Sequence, residues 1–371
     1  MKLNIYFLLL VTLIISNVLG QTNPNININL LLDYSSADQT IQLLEDRLVN
    51  TQTLAELKGS RIAASTTGLI ANNFSVTQHL QNYLDSLRYH QIIKDDVYHL
   101  ETAREHVQEI KELFNEIKKS NFNRRVVATV EQIFPTDSRI SILIPVYVVA
   151  IGHENVDAYV RRIIWHGNTP EFAGEGEGEL TIVINLGQSV KYGPDLQERF
   201  ISLLGVVAHE VFHAAYGAYK ENSGQWKRYY KKYKRPFDYL LDITQNEGIA
   251  YYLSLDQRGR GYVPTNWDTN IREAFSTFDK NAKELLSGSI TGERANELIK
   301  SANLSGYWES YGAMTGMAIA REIDLRLGRA ELIEAVGGTP FDFFRKYLNV
   351  LNTESILPRL SPRIIAEFNQ K

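Results

Sequence analysis

Two histidines flank a glutamate and two apolar residues in the run Ala208-His209-Glu210-Val211-Phe212-His213. In a helix with 3.6 residues per turn, His209 and His213 stand one turn apart on one face and can grip a single metal ion. Glu210 is offset from them by about 100°, which places its carboxylate to take a proton from a water beside that metal. The chain has no cysteine, so thiolate zinc sites, iron–sulfur clusters and cysteine nucleophiles are excluded and any metal must be held by His, Asp and Glu. Leu203, Leu204, Val206, Val207, Val211 and Phe212 surround the motif. The helix is therefore apolar almost all round and belongs in a core, where two imidazoles and a carboxylate need partners. A metal is the better account of them than a pair of hydrogen-bonded core histidines.

A tetrahedral zinc that keeps one position for water needs a third protein ligand. Tyr216 and Tyr219 stand where H-E-x-x-H-x-x-G-x-x-H would place its glycine and third histidine, which removes the metzincin pattern. The next candidate is Glu247, in Asn246-Glu247-Gly248-Ile249-Ala250-Tyr251. It falls on a helix expected from about Phe237 to Leu255, on a stripe with Leu240, Ile243, Ala250 and Tyr251. An acid at a core-facing position is what a ligand looks like, and also what a buried salt bridge looks like. Asp242, on the opposite face, and Glu221, in an expected loop, are weaker substitutes.

Around these residues the chain divides by texture. Tyr6 to Ile15 is an apolar run after Lys2, followed by Asn17-Val18-Leu19-Gly20, so residues 1–20 read as a secretory signal peptide and the mature chain as exported, periplasmic or secreted. Residues 21–30 are polar and Asn-rich and read as a short tether. From Ser36 to about Lys119 the pattern is helical, with Val97, Leu100, Val107, Ile110, Leu113, Phe114 and Ile117 on one stripe. This gives a helical N-terminal region over 21–123. Val126–Phe134, Ser141–Val149 and Leu180–Leu186 read as strands, and helices return after Asp195. The outline is α+β and α-dominant: a helical N-terminal region, a small central sheet and the H-E-x-x-H helix, the last two within a region 124–371 packed with the first.

Composition narrows the function. With 39 basic and 43 acidic residues the net charge is -4, which offers no global attraction to nucleic acid, and no nucleic-acid partner is expected. Residues 226–235 (WKRYYKKYKR) interleave basic and aromatic side chains and read as a solvated connection between the two ligand helices. No span of membrane is expected once residues 1–20 are removed.

An H-E-x-x-H helix followed by a helix carrying N-E-G-x-A resembles the gluzincin branch of zinc metallopeptidases. Over most of residues 30–350 the chain is similar to a bacterial family known only by description as zinc-dependent peptidases. The likeness rests on Asp33–Leu44, Leu180–His213, Glu247-Gly248-Ile249-Ala250 and Tyr311–Leu327. It implies a zincin-like fold, one Zn2+ per chain held by His209, His213 and Glu247, Glu210 as proton carrier, and hydrolysis of a peptide or protein substrate. It also implies that Leu180–Leu186 is an edge strand pairing with extended substrate. Thermolysin-like enzymes orient a zinc-bound His with an Asp four residues after the ligand Glu. That position is Tyr251 here, so the group that orients the histidine must be a different one. An oxyanion donor is also required, for which Tyr311 is the candidate and Tyr307 the reserve. The competing readings are a non-catalytic zinc-containing protein that binds an envelope component, and a zinc hydrolase of another amide or ester.

Overall fold

The computed structural model describes residues 25–73, 75–152, 158–174, 176–304 and 309–369. The expected signal peptide and Tyr307 lie outside them. The chain is α-dominant around one mixed five-stranded sheet. Its strands are β1 (Ile26–Asp33), β2 (Ile140–Val149), β3 (Ala158–His166), β4 (Thr169–Phe172) and β5 (Glu179–Asn185), in the order β1-β2-β5-β3-β4. β1, β2 and β5 run parallel, and β3 runs antiparallel to both β5 and β4.

Three expectations change here. The segment expected as an Asn-rich tether supplies residues 26–30 of β1. Ile26, Ile28 and Leu30 are buried and Asn27, Asn29 and Leu31 exposed, the period-two alternation of a strand with one wet face. Composition hid a pattern that spacing carries. Val126–Phe134 belongs instead to α4 (Phe122–Glu131) and its following turn. Its β-branched residues favour a strand locally, but Phe122, Val126 and Val130 recur every fourth position and form a buried helical stripe. Finally, β5 is not an edge, because it hydrogen-bonds β2 on one side and β3 on the other.

The sheet is covered on both faces. Helices α1 (Ser35–Leu44) and α2 (Lys58–Ile70) lie on one. There Gly59 lets α2 approach Tyr147 and Val149 of β2 closely. On the other face lies α5 (Leu196–Asn222), flanked by α3 (Val107–Lys119) and α4. Asp195 caps α5, its carboxylate accepting from the Glu198 amide at 2.9 Å. By length and composition α5 would pass as a membrane span, yet it is mostly buried within the protein.

The rest of the chain supports α5 from behind. Helix α6 (Gly224–Lys232) turns into α7 (Pro236–Asp256), followed by α8 (Trp267–Leu285), α9 (Gly292–Ser301), α10 (Tyr311–Glu322), α11 (Arg329–Gly337) and α12 (Pro340–Val350). The basic–aromatic stretch forms α6, and its two halves separate: Trp226 and Tyr229 are buried while Lys227, Arg228, Lys231 and Lys232 are exposed. One continuous apolar core joins β1, the sheet, α5, α7 and α10.

Candidate metal centre

Helices α5 and α7 pair antiparallel, and each turn of one meets a turn of the other. Gly205 sits against Ser254, whose hydroxyl donates to the Gly205 carbonyl at 2.8 Å. One turn on, the His209 ring meets Tyr251 edge-on, with centroids 4.5 Å apart. Another turn brings His213 to Asn246 and Glu247. Lys220 and Asp242 close the ladder at 2.6 Å. The close contact at Gly205 sets the register, and that register carries a carboxylate from α7 to the two imidazoles of α5.

His209, His213 and Glu247 thus converge, with ligand atoms within 4.8 Å of one another. His209 Nε2 and His213 Nε2 are 2.9 Å apart. Glu247 Oε2 lies 3.2 Å from His213 Nε2 and 3.6 Å from His209 Nε2. Ligand atoms of a tetrahedral zinc, each at 2.0–2.1 Å, stand about 3.3 Å from one another, so the three fit that ion. Two imidazoles and one carboxylate are also the donor set of zinc sites that keep a fourth position for water.

The charges around the three are coupled. Burial pushes the His209 ring down, to about 3, and the neighbouring His213 adds to this. Burial acts on His213 too, but the Glu247 charge outweighs it and lifts that ring to about 9. For Glu247 burial favours the neutral acid, and the attraction of His213 overcomes it and holds the carboxyl below its usual range.

Three groups orient the ligands, and reading the sequence identified none of them. The His213 ring donates from Nδ1 to Asn246 Oδ1 at 3.2 Å, which leaves Nε2 facing Glu247 and His209. The His209 ring donates to the backbone carbonyl of Ala250. Asn303 Nδ2 donates to Glu247 Oε1 at 2.8 Å, leaving Oε2 for the histidines. Asn246 immediately precedes Glu247, so its presence in N-E-G was a usable signal. Asn303 lies 56 positions further along, and no local pattern points to it. Outer-shell partners of this kind contribute about 10–100-fold in metal affinity. Asn246→Ala should therefore weaken zinc binding by that factor in competition against a chromophoric chelator, with Asn246→Asp, which keeps the acceptor oxygen, close to wild type. Equal affinities for the Ala variant and the parent would remove Asn246 from this role.

The weaker acids are placed elsewhere. Asp242 pairs with Lys220 and also accepts from the Tyr230 hydroxyl at 2.8 Å. Glu221 is exposed near the end of α5. Tyr311 is not brought to the cluster. Its hydroxyl donates to the Leu298 carbonyl of α9 at 2.8 Å, and burial pushes its pKa up to about 12. The cause is helical phase: Gly312 and Gly316 form the face of α10 that presses on α7, and Tyr311, about 100° away, faces α8 and α9.

Beside the cluster opens a cleft of about 390 Å3 between α5 and the sheet. Strands β2 and β5 hydrogen-bond only from Val146 and Ile182 onward. The earlier part of β2 leaves a gap lined by Ile142, Leu143, Ile144 and Leu180. Glu210 and His213 form the opposite wall. This is the size and mixed character of a small-ligand or peptide site.

The sequence model of a family described as "Putative zinc dependent peptidase (DUF5700)" matches residues 46–355. No curated protein and no solved structure matches the chain. The match spans most of the 371 residues and contains both histidines, both glutamates and the cleft, and the chain belongs to this family.

Proposed function

We propose that this protein is an exported, zincin-like metallopeptidase that hydrolyses peptide bonds, with one zinc per chain held by His209, His213 and Glu247. The observation that carries the reading is the convergence of those three ligand atoms beside a cleft lined by His213 and Glu210. The family description supports a zinc peptidase generally. Export rests on the signal-peptide pattern of residues 1–20.

A zinc ion in that frame supplies Lewis acidity, which polarises a carbonyl and eases deprotonation of a water. The chain does the remaining work. Glu210 lines the cleft next to His213 without being one of the three ligands, and its carboxylate takes a proton from water and returns it to the leaving amine. Asn246, Ala250 and Asn303 hold the ligands in place, so little reorganisation is needed at each turnover. The apolar wall of β2 and β5 excludes water from one side of an extended peptide.

Elemental analysis of the purified protein, dialysed without added metal, should find about one zinc per chain, and a library of unstructured peptides should be cut. A chain that takes up no zinc after deliberate loading would sink the metal site. A fully zinc-loaded chain that cuts no peptide would favour the readings in which the zinc is structural or serves another amide or ester.

A further inference from the structure

The sheet wall of the cleft carries one cation. Arg162, on β3 opposite Leu180, is partly buried and lines the same cleft as Glu210 and His213. Its backbone is tied into the sheet, and its carbonyl accepts from the Ala173 amide at 2.8 Å. Its guanidinium has no ion pair, hydrogen bond or ring contact among the described residues. The preceding arginine differs: Arg161 lies over the Tyr159 and Phe172 rings and donates to the Val160 carbonyl. The Arg162 guanidinium therefore serves neither the ladder nor a surface network, although Ile144, Val160 and Leu180, which line the same cleft, keep part of its hydration away.

A guanidinium is always charged and presents five donors in a planar fork. Held without an anion against an apolar wall, it favours a ligand that supplies one, and a carboxylate meets the fork with two parallel hydrogen bonds. The opposite wall narrows the choice further. Glu210 and Glu221 lie along α5 in the same cleft, so a ligand with several negative charges is repelled where a single carboxylate is not.

We infer that Arg162 binds a carboxylate of the peptide lying in this cleft and makes the site selective for an acidic side chain or a free C-terminus near the bond that is cut. This rests on the peptidase reading above for the identity of the ligand, but not for the existence of the anion site. Two matched peptide pairs separate the two sources. One pair differs only by an internal Glu against Gln, the other by a free C-terminal carboxylate against its amide.

Binding is read by fluorescence anisotropy on the zinc-loaded Glu210→Gln protein, and cleavage as kcat/KM on the parent. One carboxylate member should bind about tenfold or more tightly than its neutral twin, the size of a charge-assisted hydrogen bond. In Arg162→Ala the ratio should fall to near one, with a far-UV circular dichroism spectrum and zinc content equal to the parent's showing that the variant is folded. Arg162→Lys should keep part of the preference. A ratio near one with Arg162 in place, an unchanged ratio in Arg162→Ala, or no peptide bound by the zinc-loaded Glu210→Gln protein would each overturn the inference. Binding that discriminates without any cleavage would overturn the peptidase reading and leave the anion site standing. Cleavage without discrimination would do the reverse.

Discussion

Replacing Glu210 by Gln should leave zinc in place and lower peptide cleavage by about 10²–10⁴-fold, the usual contribution of a general base. The amide keeps the size and hydrogen-bonding reach of the side chain but cannot accept a proton at neutral pH. Glu210 is not one of the three converging ligands, so the metal content of the variant should equal that of the parent. Glu247→Gln should do the opposite. It removes the charge that lifts His213 and a ligand oxygen together, so zinc is lost and activity with it. Breaking a buried charge pair from one side typically costs about 3–5 kcal/mol, which should appear as a lower Tm in the metal-free Glu247→Gln protein. Parent-like cleavage by Glu210→Gln would end the proposed mechanism. Loss of zinc from that variant would move Glu210 into the ligand set.

A second large stability effect is expected where two helices touch backbone to backbone. Helices α7 and α10 cross at Gly248 and Gly316, where a Cβ on Gly248 would sit inside the Gly316 backbone and one on Gly316 inside the Thr244 carbonyl. Neither obstacle is the end of a flexible side chain, so the two helices must move apart. Gly248→Ala should therefore destabilise by about 3 kcal/mol, the upper range for overpacking, and a similar cost is expected for Gly316→Ala.

Gly248 also directly follows Glu247. Moving α7 away from α10 shifts the carboxylate relative to the histidines, so zinc affinity should fall with stability. Gly217 gives the internal control. It is exposed on α5, and nothing lies within 4 Å of a Cβ built there, so Gly217→Ala should raise stability by about 0.5–1 kcal/mol through helix propensity alone. Denaturant melts of the three variants check this order. A neutral Gly248→Ala would mean the α7–α10 contact is looser than the structure has it.

The sequence by itself determined the part of the site that lies within single elements. Helical spacing puts His209 and His213 on one face whatever surrounds them, and the stripe on α7 turns Glu247 inward among Leu240 and Ala250. The same locality explains Ser141–Val149 and Leu180–Leu186 as strands, because long β-branched runs bounded by turns have few alternatives. Local signals misled where tertiary packing outweighed them. Val126 and Val130 favour strand geometry, but burial against α5 every fourth residue decided for a helix. The Asn-rich start reads as a tether by composition, and it became β1 because β2 offered a partner for its alternate apolar residues.

What only the tertiary structure decided is the relation between elements. Interhelical register, set by Gly205 against Ser254, chose Asn246 and Asn303 as the groups that orient the ligands. Helix phase at the Gly248–Gly316 crossing turned Tyr311 toward Leu298 rather than the cleft. The late start of β2–β5 pairing opened that cleft and placed Arg162 in its wall. Each of these depends on close contacts between residues far apart in the chain, and a period of 2.0 or 3.6 contains no information about them.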